Sequence, residues 1–82
     1  MTEAQIYDGL TKILQDVFDD DTLVARSDLT AADVDGWDSF AHLRVIFGVE
    51  KTFGISLSAS QISGLKNVGE LATVIESKVT KR

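Results

Sequence analysis

The segment DSFAHLRVIFGVEKTFG, residues 38–54, decides the fold. Ser39 to Phe53 reads as a helix, and Phe40, Ala41, Leu43, Val45, Ile46, Phe47, Val49 and Phe53 make it apolar nearly all round. Gly54 supplies the left-handed residue on which such a helix ends. A helix without a polar face is either enclosed by other helices or presents part of its surface to a partner or ligand. Ser39 reads as its N-cap, the hydroxyl accepting a backbone N–H bond.

The flanking segments supply the enclosing helices. Thr2 and Gln5 form a capping box, and Ile6, Leu10, Ile13, Leu14 and Val17 follow at the spacing of one helical stripe. Asp19, Asp20 and Asp21 put negative charge where the helix dipole disfavours it, so the first helix is expected over about 3–18. Ser58 with Gln61 opens a short helix over about 59–63, and Asn67 with Glu70 opens a last one over about 67–79. Val68, Leu71, Ala72, Ile75 and Val79 form its buried stripe, and Lys81 and Arg82 are expected to fray. No strand-like alternation and no proline interrupts these patterns. The expected fold is all-α, a single-domain four-helix bundle over 1–82 with three longer helices, a short third one and a long loop between helices one and two.

That loop, Asp19 to Asp38, runs for twenty residues, and long connections that stay ordered are usually functional. Leu23, Val24, Leu29 and Val34 are expected to fasten it to the core, and Thr30 with Asp33 to cap a single turn. Trp37, the one tryptophan, is expected to pack at least partly on apolar neighbours and so hold Ser39 in place.

Composition removes several function classes. With 82 residues the chain has no room for two lobes around a large cleft. No apolar run approaches the roughly 20 residues of a membrane span. A net charge of −5 argues against nucleic acid. Met1 to Asp38 holds ten acidic and two basic residues, whereas Ser39 to Arg82 holds three acidic and six basic ones. There is no cysteine, so the chain has neither a disulfide framework nor a thiol of its own. A cytoplasmic monomer is the expectation.

Candidate chemistry is sparse. Asp33, Asp35 and Gly36 resemble part of a calcium loop, but its first position would be Ala31 and its twelfth His42 in place of a bidentate Glu. His42, the only histidine, has no second imidazole or thiol with which to share a metal and reads as a surface residue. Ser39 and His42 lie on one helical turn, with no separate wall for an oxyanion hole. No catalytic residue and no metal site is expected. What remains is Asp35-Gly36-Trp37-Asp38-Ser39-Phe40, where the long loop meets the apolar helix. Beyond capping, a serine hydroxyl there sits beside the positive end of the helix dipole, a suitable place for a phosphate-linked group. The two roles are compatible.

Asp38-Ser39-Phe40, following Gly36, resembles the Asp-Ser-Leu signature of acyl carrier proteins. The resemblance extends through the long loop, Phe53-Gly54-Ile55, the short third helix and Leu65-Lys66-Asn67-Val68-Gly69-Glu70-Leu71. It implies that Ser39, within the Asp38–Phe40 motif, carries 4′-phosphopantetheine, installed from coenzyme A by a separate magnesium-dependent phosphopantetheinyl transferase. The group would bring the thiol that holds acyl groups as thioesters. It further implies acyl ligase, acyltransferase or synthase partners, and helices that part to bury an acyl chain, for which Val45 and Val49 are candidates. Carriers of fatty acid synthesis often have acidic residues two, five and twelve positions after the serine, where this chain has Ala41, Arg44 and Lys51. Only Glu50 is acidic on this helix, and the loop acids Asp33, Asp35 and Asp38 remain. A specialised carrier is expected over a housekeeping one. An aminoacyl or peptidyl carrier, including a D-alanyl carrier, and a cofactor-free helical adaptor are the alternatives.

Overall fold

A computed structural model of the chain describes residues 2–80, so the expected fraying of Lys81 and Arg82 lies outside the described residues. The helices are α1 (Glu3–Phe18), α2 (Ser39–Phe53), α3 (Ala59–Ser63) and α4 (Val68–Thr80), with a 3-10 turn at Ala31–Asp33 inside the long loop. The chain is the all-α bundle that the apolar periodicity implies, with no strand among the described residues. No described helix is long and apolar enough to cross a membrane.

Each boundary has a local cause. The Thr2–Gln5 and Ser58–Gln61 capping boxes start α1 and α3. Asp19, left-handed at φ 51°, ends α1, and Gly54 at φ 66° ends α2. At α4 the box is displaced by one residue: Asn67 Oδ1 accepts from the Glu70 N–H, while the Glu70 carboxylate accepts from the Lys66 N–H, each at 2.9 Å.

The core is built from Ile6, Leu10 and Leu14 of α1, Val45, Ile46 and Val49 of α2, and Leu71 and Ile75 of α4, none more than 3% exposed. At roughly 1.5–3 kcal/mol per buried aliphatic side chain, this seam supplies most of the drive to fold. Val17 and Val79, at the ends of their stripes, are only half-buried.

The long loop is ordered by backbone bonds to α1 and α4. Gln15 Nε2 donates to the carbonyls of Asp21 (3.2 Å) and Leu23 (3.0 Å). Ala25 donates its N–H to Thr11 Oγ1 at 2.9 Å and turns its methyl inward. That bond corrects one expectation, because Val24 is thereby turned outward and is 56% exposed. Leu29 and Val34 are buried as expected. Further along, the Leu29 and Ser27 carbonyls accept the N–H groups of Val68 (2.8 Å) and Gly69 (3.0 Å), satisfying first-turn amides of α4 that have no acceptor within the helix.

Gly69 permits this approach. A Cβ there would stand 2.7 Å from the Ser27 carbonyl oxygen, inside contact distance and against backbone. Gly69→Ala should therefore destabilise the protein by about 1–3 kcal/mol, as overpacking does. Urea denaturation checks this. A gain in stability of about 1 kcal/mol, the intrinsic helix preference of Ala over Gly, would show that the loop gives way freely.

Candidate functional site

The loop delivers the chain to α2 through a tight turn. Val34 is buried, its carbonyl accepts the Trp37 N–H at 3.3 Å, and Gly36 between them takes φ 85°, a conformation that favours glycine. Asp38 then adopts an extended backbone, and its Oδ1 accepts the Ala41 N–H at 2.9 Å. Asp38 is thus the N-cap of α2, which corrects the assignment of that role to Ser39. The carboxylate reaches the third amide of the helix, and its charge also complements the helix dipole. Ser39 is the first helical residue, is exposed, and among the described residues its hydroxyl makes no hydrogen bond. The amides of Ser39 and Phe40, at the first two helical positions, have no acceptor within the helix either.

Trp37 is half-buried, as its packing role requires. Its ring lies against Phe18 with centroids 5.3 Å apart. Its Nε1–H donates to His42 Nδ1 at 3.2 Å, and His42 Nε2 lies 3.2 Å from the Ile62 carbonyl on α3. An indole N–H only donates, so His42 Nδ1 accepts and Nε2 carries the proton that bonds to Ile62. His42 is therefore no surface residue: it joins the loop, α2 and α3. A cue lay in the sequence. With Asp38 as N-cap, Trp37 and His42 occupy the positions just before the cap and four after it, which pack together at many helix starts. Reading Ser39 as the cap hides that register.

The other candidates divide sharply. Asp33 accepts from both the N–H (3.0 Å) and Oγ1 (3.1 Å) of Thr30, and these bonds, the backbone one first, hold its pKa below the usual carboxylate value. Asp35 is exposed. Ala41, offered as a recognition position, is only 8% exposed and faces inward, so it gives a partner no surface. Glu50, the helix acid, is half-buried and spends its carboxylate on the Leu57 N–H at 2.9 Å. Arg44 and Lys51 are exposed, and with Lys12 of α1 they line a groove between α1 and α2. Phe40 (80% exposed), Phe47 (63%) and Leu43 (42%) also face outward from α2. Val45 and Val49 are fully enclosed in the core.

Two hollows meet beside Ser39. An open groove is lined by Ala31, Asp38, Ser39, Leu43, Ile62 and Ser63. A smaller pocket of about 90 Å³ lies between Leu29, Asn67, Val68 and Leu71. Ala31, Trp37, His42 and Leu65 border both. Among the described residues no group of three or more His, Cys, Asp or Glu side chains is placed to hold a metal ion.

The structure is similar to that of a holo acyl carrier protein from Geobacter metallireducens, determined in solution by NMR, with a TM-score of 0.85. The two chains are 37% identical, and the match covers 92% of this chain and 86% of the other. No family profile and no curated protein matches the chain.

The cap assignment separates two variants. Asp38→Ala should cost about 0.5–2 kcal/mol, the usual loss of an N-cap. Ser39→Ala should stay within about 0.5 kcal/mol, as exposed substitutions do. Denaturant midpoints of the two variants check the assignment, and equal losses would return part of the capping role to Ser39.

Proposed function

The chain belongs to the acyl carrier protein family, and from that premise we propose that Ser39 is the residue through which it carries 4′-phosphopantetheine. The observation supporting this site is the exposed, unbonded hydroxyl at the start of α2, opening onto a groove lined by Leu43, Ile62 and Leu65. When bound, the group supplies a terminal thiol, which a chain without cysteine lacks, and so allows acyl groups to be held as thioesters.

The chain's own residues position and present. Asp38 fixes where α2 begins, and the Trp37 ring, seated on Phe18, fixes the loop behind it. The free amides of Ser39 and Phe40 are available to a phosphate oxygen at the positive end of the helix. Attachment forms a bond from Ser39 Oγ to phosphorus as the phosphoanhydride bond of coenzyme A breaks and releases adenosine 3′,5′-bisphosphate, and the hydroxyl proton leaves to a base on a separate phosphopantetheinyl transferase. The protein is a non-catalytic carrier.

The exposed side of α2 suggests which enzymes it serves. Phe40, Leu43 and Phe47 form an apolar strip flanked by Arg44 and Lys51, while Ala41 is turned inward and Glu50 is engaged by Leu57. An enzyme surface built to meet acids along this helix meets two cations instead. We therefore assign the chain to a dedicated acyl ligase, acyltransferase or synthase and not to housekeeping fatty acid synthesis.

Incubation with coenzyme A and a broad-specificity transferase should add one phosphopantetheine by intact mass, and Ser39→Ala should abolish the addition. Modification of the Ala variant would place the site elsewhere. For partner choice, acyl loading of the holo chain by a fatty-acid-synthase malonyl transferase should be poor. The double variant Arg44→Glu/Lys51→Glu should load at least about tenfold better, because like charges facing each other across an interface cost several kcal/mol. Efficient loading of the unaltered chain with no gain in the variant would show that charge on α2 does not select the partner.

A further inference from the structure

Helix α3 is the most lightly held element of the bundle. It has five residues, none of them buried, and only Ile62 packs part of its side chain on the core. A polar tie therefore weighs heavily there. His42 provides it, since its Nε2–H reaches the Ile62 carbonyl while Nδ1 receives the Trp37 indole N–H. Trp37 is in turn held by its contact with Phe18. The chain of bonds runs from the long loop, across α2, to α3.

These residues stand between the two hollows. The open groove begins at Ser39, and the smaller pocket ends at Leu29, Val68 and Leu71. Between Ser39 and the inner pocket stand Ala31, Trp37, His42 and Leu65, which line both hollows. At about 90 Å³ that pocket is well below the roughly 150 Å³ that accommodates benzene. As it stands it is too small for an extended acyl chain.

We propose that the Trp37–His42–Ile62 hydrogen-bond chain is a latch that closes the apolar pocket behind Ser39, so that His42 sets the length of acyl group the protein can shelter. The proposal rests on Ser39 being the attachment residue. A short load leaves the latch shut and stays in the outer groove. A longer apolar chain gains enough from burial to part His42 from Ile62, and α3 moves away because little else holds it. His42 is a positioning residue in this scheme and touches no reacting atom.

One test needs no attached group. In the unmodified protein, His42→Ala should move the Trp37 indole N–H resonance and speed amide exchange in α3 by about five- to tenfold, the population change that follows from losing one net hydrogen bond. His42→Gln, which keeps an N–H within reach of the Ile62 carbonyl, should restore most of the protection. Unchanged α3 exchange in His42→Ala overturns the latch whatever Ser39 carries. The second arm uses acetyl- and octanoyl-pantetheine forms, with attachment verified by intact mass, so a failure at Ser39 is seen separately. Octanoyl loading should move the indole resonance and acetyl loading should not. Hydroxylamine should cleave the octanoyl thioester about five- to tenfold more slowly in His42→Ala than in the unaltered protein, again the weight of one net hydrogen bond, with acetyl cleavage unchanged. Equal effects on both loads would overturn the selection by length.

Discussion

The site depends on two backbone hydrogen bonds between the long loop and the start of α4. The first amides of α4, at Val68 and Gly69, would be unsatisfied in an isolated helix, and the long loop satisfies them with the carbonyls of Leu29 and Ser27. The exchange serves both parties: the helix gains acceptors and the loop gains a fixed path. Once Leu29 is pinned, Val34 is carried into the core, the turn at Gly36 has one direction open to it, and Trp37 arrives on Phe18. Ser39 inherits its position from that sequence of constraints. The absence of a side chain at Gly69 is what lets two backbones come close enough for its own bond to the Ser27 carbonyl to form.

Helix α2 shows how one element serves both core and surface. Val45, Ile46 and Val49 close against α1 and α4, while Phe40, Leu43 and Phe47 remain in water on the other side. Leaving two aromatic rings exposed sacrifices burial that most surface helices do not forgo. Neighbouring helices cannot recover it, since α1 and α4 already pack on the inner side and α3 is too short. The solvated strip is consistent with a helix whose second side is completed by other proteins. The same helix gives its one carboxylate, Glu50, to the Leu57 amide and so steadies the segment leading to α3.

Much of this was legible in the sequence. Stripes at helical spacing in α1 and α4 report burial directly, because a 3.6-residue period has one physical cause. Thr2 with Gln5 and Ser58 with Gln61 marked helix starts for a similarly local reason. Legibility failed where a choice depended on backbone geometry or on distant residues. Asp38 and Ser39 are both good caps, and only the extended backbone at Asp38 decides between them. Ala41 could not be assigned to either side of a helix apolar all round, and Val24 lost its inward place to Ala25 through a bond to Thr11 fourteen residues away. His42 was misread because its partners lie on two other elements, and Ile62 contributes only a backbone carbonyl that no pattern of side chains reveals.

The shortness of α3 has a consequence for how such a chain can change over generations. An element that buries no residue adds little to the cooperative unfolding of the whole. Substitutions there alter how often the segment opens on its own while leaving the global midpoint almost untouched. Variation in this part of the chain is therefore shielded from the usual penalty on destabilising mutations, which falls on the seam of α1, α2 and α4. Proteins sharing this core can drift apart at the segment between Gly54 and Asn67 and acquire different opening rates without losing their fold.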